Sequence, residues 1–230
     1  MSKRWGLTNN QLKIIAMLTM LCDHVAIAFF PENLPLRILG RISFPIFAYM
    51  IAEGCRYTKC RWKHLAMPAG LGILCQLVFL FATNSWYMGI LLTFSLSILT
   101  IYAIDYYIND RRKGTFAVML TAVTAVVLVS VVLPALLYEY GFTFDYGPFG
   151  VFLPVVIYYM RGKRVKMLVM LAALLGWGLA WGGVRWFALL ALPFLLLYNG
   201  ERGRVRMKYL FYIFYPTHLV LIYFIGWLIA

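Results

Sequence analysis

Apolar residues along the chain fall into nine runs separated by short polar segments. The runs are 10–30, 36–54, 65–83, 89–107, 115–137, 148–160, 167–181, 184–199 and 209–229. Most approach the ~20 residues that a helix needs to cross a bilayer, whereas the sixth and seventh are shorter. The pattern predicts an all-α, polytopic membrane helix bundle of about nine transmembrane helices, forming a single domain over residues 1–230. The two short runs are expected to be broken or tilted helices.

Composition supports the membrane prediction. The 230 residues are 63% hydrophobic and only 13% charged, with a mean hydropathy of +0.82. A soluble domain of this size carries about a quarter charged residues and has no repeated apolar runs of this length. The sequence therefore predicts a multi-pass protein of the cell membrane and excludes an ordinary soluble domain.

The net charge of +13 is explained by where the cations lie. Basic residues cluster between the apolar runs, at residues 3–4, 56–63, 111–113, 161–166 and 202–208. With a cytoplasmic N-terminus, 18 of the 21 cations lie at or near the cytoplasmic side, and Arg37, Arg41 and Arg185 lie toward the outside. This bias is the usual determinant of membrane topology. The charge therefore predicts a lipid bilayer, and no nucleic acid, as the partner.

The sequence contains no pattern for a resident metal or cofactor. The four cysteines lack paired metal-ligand spacing, and neither a phosphate-binding glycine loop nor a haem-attachment motif is present. We therefore expect no metal site and no permanently bound cofactor.

Candidate functional residues are the polar side chains inside the apolar runs. A charged group at bilayer depth costs at least ~2.5 kcal/mol and persists only with partners or a function. The candidates are Lys13, Asp23, His24, Arg41, Glu53, Asp105, Arg185 and His218. Of these, Asp105 lies at the inner end of its run and is expected to be a solvated boundary residue.

The first two runs place four of these residues at two depths. At a rise of ~1.5 Å per residue, His24 lies about 21 Å from the cytoplasmic boundary and Arg41 about 8 Å from the outer one. These depths are similar, and Lys13 and Glu53 lie together near the cytoplasmic ends of the same helices. Lys13 and His24 are separated by about three helical turns and share one face. That face is a candidate passage between the cytoplasm and the outer leaflet.

Several segments resemble the TraX family, named for a membrane protein of conjugative plasmids that acetylates the N-terminus of pilin. The family is similar to the acyltransferase-3 membrane acyltransferases, in which a basic residue precedes a catalytic histidine by about eleven positions. Lys13 and His24 fit that pattern, with lysine in place of the usual arginine. The resemblance covers essentially the whole chain, and its segments are Leu12–Met17, Asp23–His24, Leu39–Ala48, Glu53–Gly54 and Tyr215–Leu219.

The resemblance implies acyl transfer from cytoplasmic acetyl-CoA to an amine or hydroxyl of an extracytoplasmic acceptor, either a peptide such as the pilin N-terminus or an envelope glycan. Its implied catalytic residues are His24, as general base or acyl carrier, with Arg41 and Asp23. Arg41 would position the acceptor or stabilise the oxyanion. On the donor side it implies Lys13, Glu53 and Arg56, and on the acceptor side it implies His218, Asp145 and Tyr146.

Other interpretations remain open. His24 could be a buried structural histidine, Arg41 could form a structural ion pair with Asp23, and Glu53 could be an interfacial carboxylate that neutralises Arg56 or Lys59. His218, which follows Pro216, could satisfy a carbonyl that the proline leaves free. The alternative functions are a proton-coupled secondary transporter and a noncatalytic membrane component of a surface-assembly system.

Overall fold

The computed structural model describes residues 5–203, 207 and 210–229. Over these residues, seven helical stretches are long and apolar enough to cross a membrane, and two further apolar helices are shorter. The nine predicted runs correspond to these nine segments, so the all-α membrane bundle is confirmed. Part of the basic pattern lies outside the described residues, at Lys3, Arg4, Arg204, Arg206 and Lys208.

The first three helices are α1 (Asn9–Phe29), α2 (Leu34–Gly40) and α3 (Ser43–Tyr57). A capping box begins α1: the Thr8 amide donates to Gln11 Oε1 at 2.9 Å, and the Gln11 amide donates to Thr8 Oγ1 at 3.4 Å. The second run is not one continuous helix, because the chain breaks between α2 and α3 at residues 41–42. Pro45 has no N–H for the Arg41 carbonyl, and Gly40 is a weak helix former.

The next helices are α4 (Arg61–Thr83), α5 (Ile90–Asp110), α6 (Lys113–Val127) and α7 (Leu133–Leu136). A π-helical turn over Leu128–Val132 joins α6 to α7 just before Pro134, and such turns accommodate the amide that proline lacks. Few of the residues of α4 and of the stretch Lys113–Leu136 are buried inside the protein. Exposed apolar helices of this length suit contact with lipid.

The last helices are α8 (Gly147–Tyr159), α9 (Lys163–Trp181), α10 (Ala191–Leu196) and α11 (Leu210–Ile229). A 3-10 helix over Gly183–Leu190 precedes α10. The prediction of a short seventh span is wrong, because the basic segment from Lys163 forms the first turn of the 19-residue α9. The short spans are the sixth and the eighth. Two short strands, β1 (Tyr87–Met88) and β2 (Thr143–Phe144), pair in parallel.

The chain divides into two compact units. The first unit is built from the described residues of 1–50 and 161–230, and the second from residues 51–160. In the first unit, α1 packs against α2 and α11, and α9 packs against the 3-10 helix and α10. In the second, α5 packs against α4, α6 and α8, around a core of Cys55, Ile98, Ile101 and Val155. The single-domain assignment and the cytoplasmic N-terminus stay predictions.

Candidate functional site

His24 on α1 and His218 on α11 form a hydrogen-bonded pair. His24 Nδ1 lies 2.7 Å from His218 Nε2, and the ring planes are 4° from parallel with centroids 4.9 Å apart. Rings packed face to face do not bring nitrogens to hydrogen-bond distance, so the rings lie edge to edge in nearly one plane. His218, expected on the acceptor side, therefore contacts His24 directly.

The protonated nitrogens of this pair follow from its hydrogen bonds. His218 Nδ1 lies 2.7 Å from the Phe214 carbonyl oxygen, and because a carbonyl only accepts, Nδ1 of His218 carries the hydrogen. Nε2 of a neutral His218 then has a lone pair and accepts from His24 Nδ1–H. A neutral His24 is consequently left with its lone pair on Nε2. The pair thus presents one imidazole nitrogen able to take a proton.

Aromatic neighbours hold the His218 ring in this orientation. Phe214 stacks on it with centroids 4.7 Å apart, and Tyr215 meets it edge-on at 5.7 Å. Pro216 has no amide hydrogen, so it leaves the Tyr212 carbonyl without its usual helical partner. His218 contacts a different carbonyl, that of Phe214, two residues further along the chain. His218 is buried, so its ring orientation is set by packing and by the Phe214 hydrogen bond together.

Asp23, the residue before His24, binds two arginines. Arg37 Nη1 donates to Asp23 Oδ1 at 2.8 Å, and Arg41 Nη2 donates to Asp23 Oδ2. Asp23 is buried, and all three charges act electrostatically on the His24 ring. The Asp23–Arg41 ion pair that the sequence left open is present. The charge pattern of the sequence identifies Arg37 only as a topology residue. Its spacing from Arg41 is a further usable signal, because residues four apart share a helix face.

Gly40 permits this ion-pair arrangement. A Cβ atom at position 40 would lie 2.3 Å from Asp23 Cβ and 2.6 Å from Asp23 Oδ1, well inside van der Waals contact. Only glycine lets α2 approach α1 this closely at Asp23. In the sequence, the need for glycine at position 40 is visible only as the Leu39-Gly40-Arg41 motif.

Lys13 lies on α1 three turns before His24. It is half-buried, and the charge of Arg202 acts on it. The amides of Asn9 and Asn10 donate to the Glu201 and Arg202 carbonyls at 2.8 and 3.3 Å, so this segment is fixed at the N-terminal end of α1. The end of α1 thus combines two cations with the positive end of the helix dipole.

Lys166, on the first turn of α9, is a further cation of the first unit. It is buried, and its Nζ lies 5.3 Å from the centre of the Tyr49 ring, within range of a cation–π interaction. The sequence pattern identifies Lys166 only as one of the predicted cytoplasmic cations.

Glu53 and Arg56 lie in the second unit. Arg56 Nη2 donates to the carbonyls of Tyr158 and Met160 at the C-terminal end of α8, a favourable position for a cation. Glu53 is buried on α3. Their predicted roles at the acyl donor stay predictions.

Asp145 and Tyr146 also belong to the second unit. Tyr87 donates its hydroxyl to Asp145 Oδ1 at 2.7 Å, and the Asp145 amide donates to the Met88 carbonyl at 2.9 Å. Tyr146 has a positive φ of 59° immediately before α8. These contacts hold the loop between β2 and α8, and the acceptor-binding role of Asp145 and Tyr146 stays a prediction.

A second polar cluster surrounds Asp105 on α5. Tyr158 donates to Asp105 Oδ2 at 2.7 Å, Tyr159 donates to Oδ1 at 3.1 Å, and Arg61 donates to Oδ2 at 3.0 Å. Asp105 was expected to be a solvated boundary residue, but it is buried. The expectation fails because its partners come from α4 and α8, which the sequence does not show to be adjacent.

No sequence motif assigns a role to His64. The structure places it on the first turn of α4, where its Nδ1 lies 2.8 Å from the Tyr102 hydroxyl. Over the described residues, no group of three or more His, Cys, Asp or Glu side chains could hold a metal ion.

The fold defines a multi-pass helical membrane protein whose first unit contains a hydrogen-bonded histidine pair beside an ion-pair cluster. The model of the TraX protein family matches residues 8–226, so the chain belongs to the TraX family, as the sequence motifs indicated. A similar curated protein is the "Probable fimbrial assembly protein FimC, serogroup H1" of Dichelobacter nodosus. It is 25% identical over 246 residues, covering 96% of this chain and 97% of that protein. No solved structure matches the chain.

Proposed function

We propose that this protein is a membrane acyltransferase that moves an acetyl group from acetyl-CoA on the cytoplasmic side to an amine or hydroxyl of an extracytoplasmic acceptor. The observation that supports this best is the His24–His218 pair, which leaves a lone pair on His24 Nε2. An acyl-transfer enzyme requires a base of this kind next to the attacking group.

In the proposed step, the acceptor nitrogen or oxygen attacks the thioester carbonyl carbon while His24 Nε2 takes the acceptor proton. The C–O or C–N bond forms, the C–S bond breaks, and the departing thiolate receives the proton from His24. The products are the acetylated acceptor and coenzyme A with a free thiol. His218 shares the positive charge of protonated His24 by accepting its Nδ1–H.

Arg41 and Asp23 support this step electrostatically. The thioester oxygen becomes negative as the acceptor attacks, and a nearby guanidinium stabilises that charge. Asp23 fixes the Arg41 side chain through their ion pair. Ordered charges of this kind require little rearrangement during the reaction.

Lys13 and Arg202 form the proposed entrance for the donor. Coenzyme A carries several phosphates, which bind well to cations and to a helix N-terminus. Both cations lie at the N-terminal end of α1, and His24 lies on the same helix. The pantetheine arm would follow α1 from one site to the other. Glu53 and Arg56 keep their proposed roles in donor binding.

The proposed acceptor belongs to a surface-assembly system. The name of the Dichelobacter nodosus relative refers to fimbrial assembly, and a fibre subunit offers a peptide N-terminus as the amine. An envelope glycan with a free hydroxyl is the other acceptor class. His218, Asp145 and Tyr146 keep their proposed acceptor-side roles, His218 through its contact with His24.

A second candidate is a noncatalytic assembly component, which that same printed name also favours. The test uses purified full-length protein in nanodiscs with radiolabelled acetyl-CoA and two acceptors, a synthetic peptide with a free N-terminus and a glucosamine-containing glycan. We expect labelled product from the wild type and from the control His64→Ala, and none above background from His24→Ala. No labelled product from any folded sample would favour the noncatalytic candidate.

A further inference from the structure

The first unit contains more positive than negative charge around His24. Arg37 and Arg41 share one carboxylate, that of Asp23. Glu32 is exposed and forms no ion pair with the described residues. A carboxylate balances one guanidinium, so the group of Asp23, Arg37 and Arg41 carries one excess positive charge.

Arg37 is the more accessible of the two arginines. Its side chain is 26% exposed, compared with 12% for Arg41. It contacts Asp23 through Nη1, which leaves other guanidinium N–H groups for a second acceptor, since the group has five donors. Arg37 can therefore hold Asp23 and an external anion at once.

Arg185 is a further cation of the first unit. It lies on the 3-10 helix Gly183–Leu190, which packs against α2. Its Nη1 donates to the Trp181 carbonyl at 3.2 Å, and its guanidinium lies 6.0 Å from the Trp177 ring centre. These are neutral partners, so its charge is not cancelled by them.

The topology makes these positions unusual. Extracytoplasmic segments of membrane proteins are depleted in Lys and Arg, and 18 of the 21 cations here are predicted to be cytoplasmic. The three exceptions are Arg37, Arg41 and Arg185. All three belong to the first unit. Arg37 lies on α2, Arg41 lies at the C-terminal end of α2, and Arg185 lies on the 3-10 helix that packs against α2.

We propose that Arg37, supported by Arg185, binds an anionic group of the acceptor, a phosphate or carboxylate next to the amine or hydroxyl that His24 activates. This inference rests on the proposed acyl transfer, because it specifies the substrate class for that site. The same anion chemistry is present in a soluble phosphorylated acceptor and in a lipid headgroup. Charge-assisted hydrogen bonds to the Arg37 fork would orient either one.

The binding test omits the acyl donor. Full-length protein in dodecyl maltoside, which carries no phosphate, is titrated with O-phosphoethanolamine or with ethanolamine, and the thermal unfolding midpoint is followed. We expect O-phosphoethanolamine to stabilise the wild type and the control Arg164→Gln, and ethanolamine to have little effect. Arg37→Gln should weaken the O-phosphoethanolamine response at least about tenfold in affinity, and Arg37→Lys should retain part of it.

A second arm replaces the soluble probe with added phosphatidylglycerol. If only phosphatidylglycerol gives a stabilisation that depends on Arg37, the anion belongs to a lipid headgroup. If O-phosphoethanolamine gives such a stabilisation, the anion belongs to a soluble acceptor. Stabilisation that is equal for ethanolamine, or unchanged in Arg37→Gln in both arms, would overturn the inference.

Acetyl transfer separates this inference from the proposed function. The ratio of kcat/KM for O-phosphoethanolamine to that for ethanolamine should fall in Arg37→Gln and stay unchanged in Arg164→Gln. Transfer with no preference for the anionic acceptor overturns the inference alone. Arg37-dependent binding without any transfer counts against the acyltransferase and leaves the anion site standing.

Discussion

The two units each contain a buried polar cluster, and the clusters differ in what they leave available. In the second unit, Asp105 accepts hydrogen bonds from Tyr158, Tyr159 and Arg61, so both carboxylate oxygens are engaged. In the first unit, the His24–His218 contact occupies His24 Nδ1 and leaves the Nε2 lone pair. A saturated cluster stabilises a fold, whereas an incompletely used base can react with a substrate. This difference supports the first unit as the place of the proposed chemistry, and it favours a structural role for the Asp105 cluster.

The largest effect is expected from His24→Ala. Loss of the general base should lower acetyl transfer by about 100-fold to 10,000-fold, the range that such groups contribute. Initial rates with radiolabelled acetyl-CoA measure this, after circular dichroism has shown that the variant is folded. A folded His24→Ala protein that transfers at the wild-type rate would show that the first unit does not contain the base.

The next effect concerns His218. Replacement by Leu removes the acceptor for His24 Nδ1–H, so the His24 ring loses its fixed orientation. The transfer rate should fall about tenfold or more, which corresponds to the free energy of one charge-assisted hydrogen bond. His218→Gln supplies an amide oxygen as acceptor and should recover part of the rate.

Nitrogen-15 NMR of the His24 ring gives a reading that does not depend on turnover. The wild type should show hydrogen on Nδ1, and His218→Leu should show a mixture of tautomers. Hydrogen on Nε2 in the wild type would contradict the arrangement derived from the Phe214 hydrogen bond.

A smaller effect is expected from Gly40→Ala. The added methyl group would overlap Asp23, so α2 must move away from α1 and weaken the contacts of both arginines with the carboxylate. Overpacking of this kind costs about 1–3 kcal/mol of unfolding free energy, measured by titration with sodium dodecyl sulfate. The matched control is Gly70→Ala on α4, where a Cβ atom meets nothing within 4 Å. Equal stability of the two variants would contradict the tight contact at Asp23.

Much of the fold could be predicted from the sequence, because length and hydropathy are local properties of each helix. Every apolar run is a helical segment in the structure. The break at Arg41 was also readable in principle, since Gly40 and Pro45 flank it. The extent of α9 was missed because a basic segment predicts a loop by composition, yet it can form the first turn of a helix.

The site was only partly predictable, because its contacts join distant parts of the chain. Motifs singled out His24 and His218, but their hydrogen bond spans 194 positions and depends on how α11 packs against α1. The joint binding of Asp23 by Arg37 and Arg41 depends on the approach that Gly40 allows. Asp105 was misjudged for the same reason, since only packing brings two tyrosine hydroxyls to it.

The smallest effect on transfer is expected from Asp105→Leu, which tests the other side of the comparison. The substitution leaves the hydroxyls of Tyr158 and Tyr159 without this acceptor and should lower the unfolding free energy by about 1–3 kcal/mol. Arg61→Gln should cost less, about 1 kcal/mol or below, because the Arg61 side chain is 47% exposed and water screens the pair. Transfer per folded molecule should match the wild type in both. A substitution in a purely structural cluster changes the amount of folded protein and leaves the transfer rate per folded molecule unchanged. A folded Asp105→Leu protein without transfer would therefore place chemistry in the second unit as well.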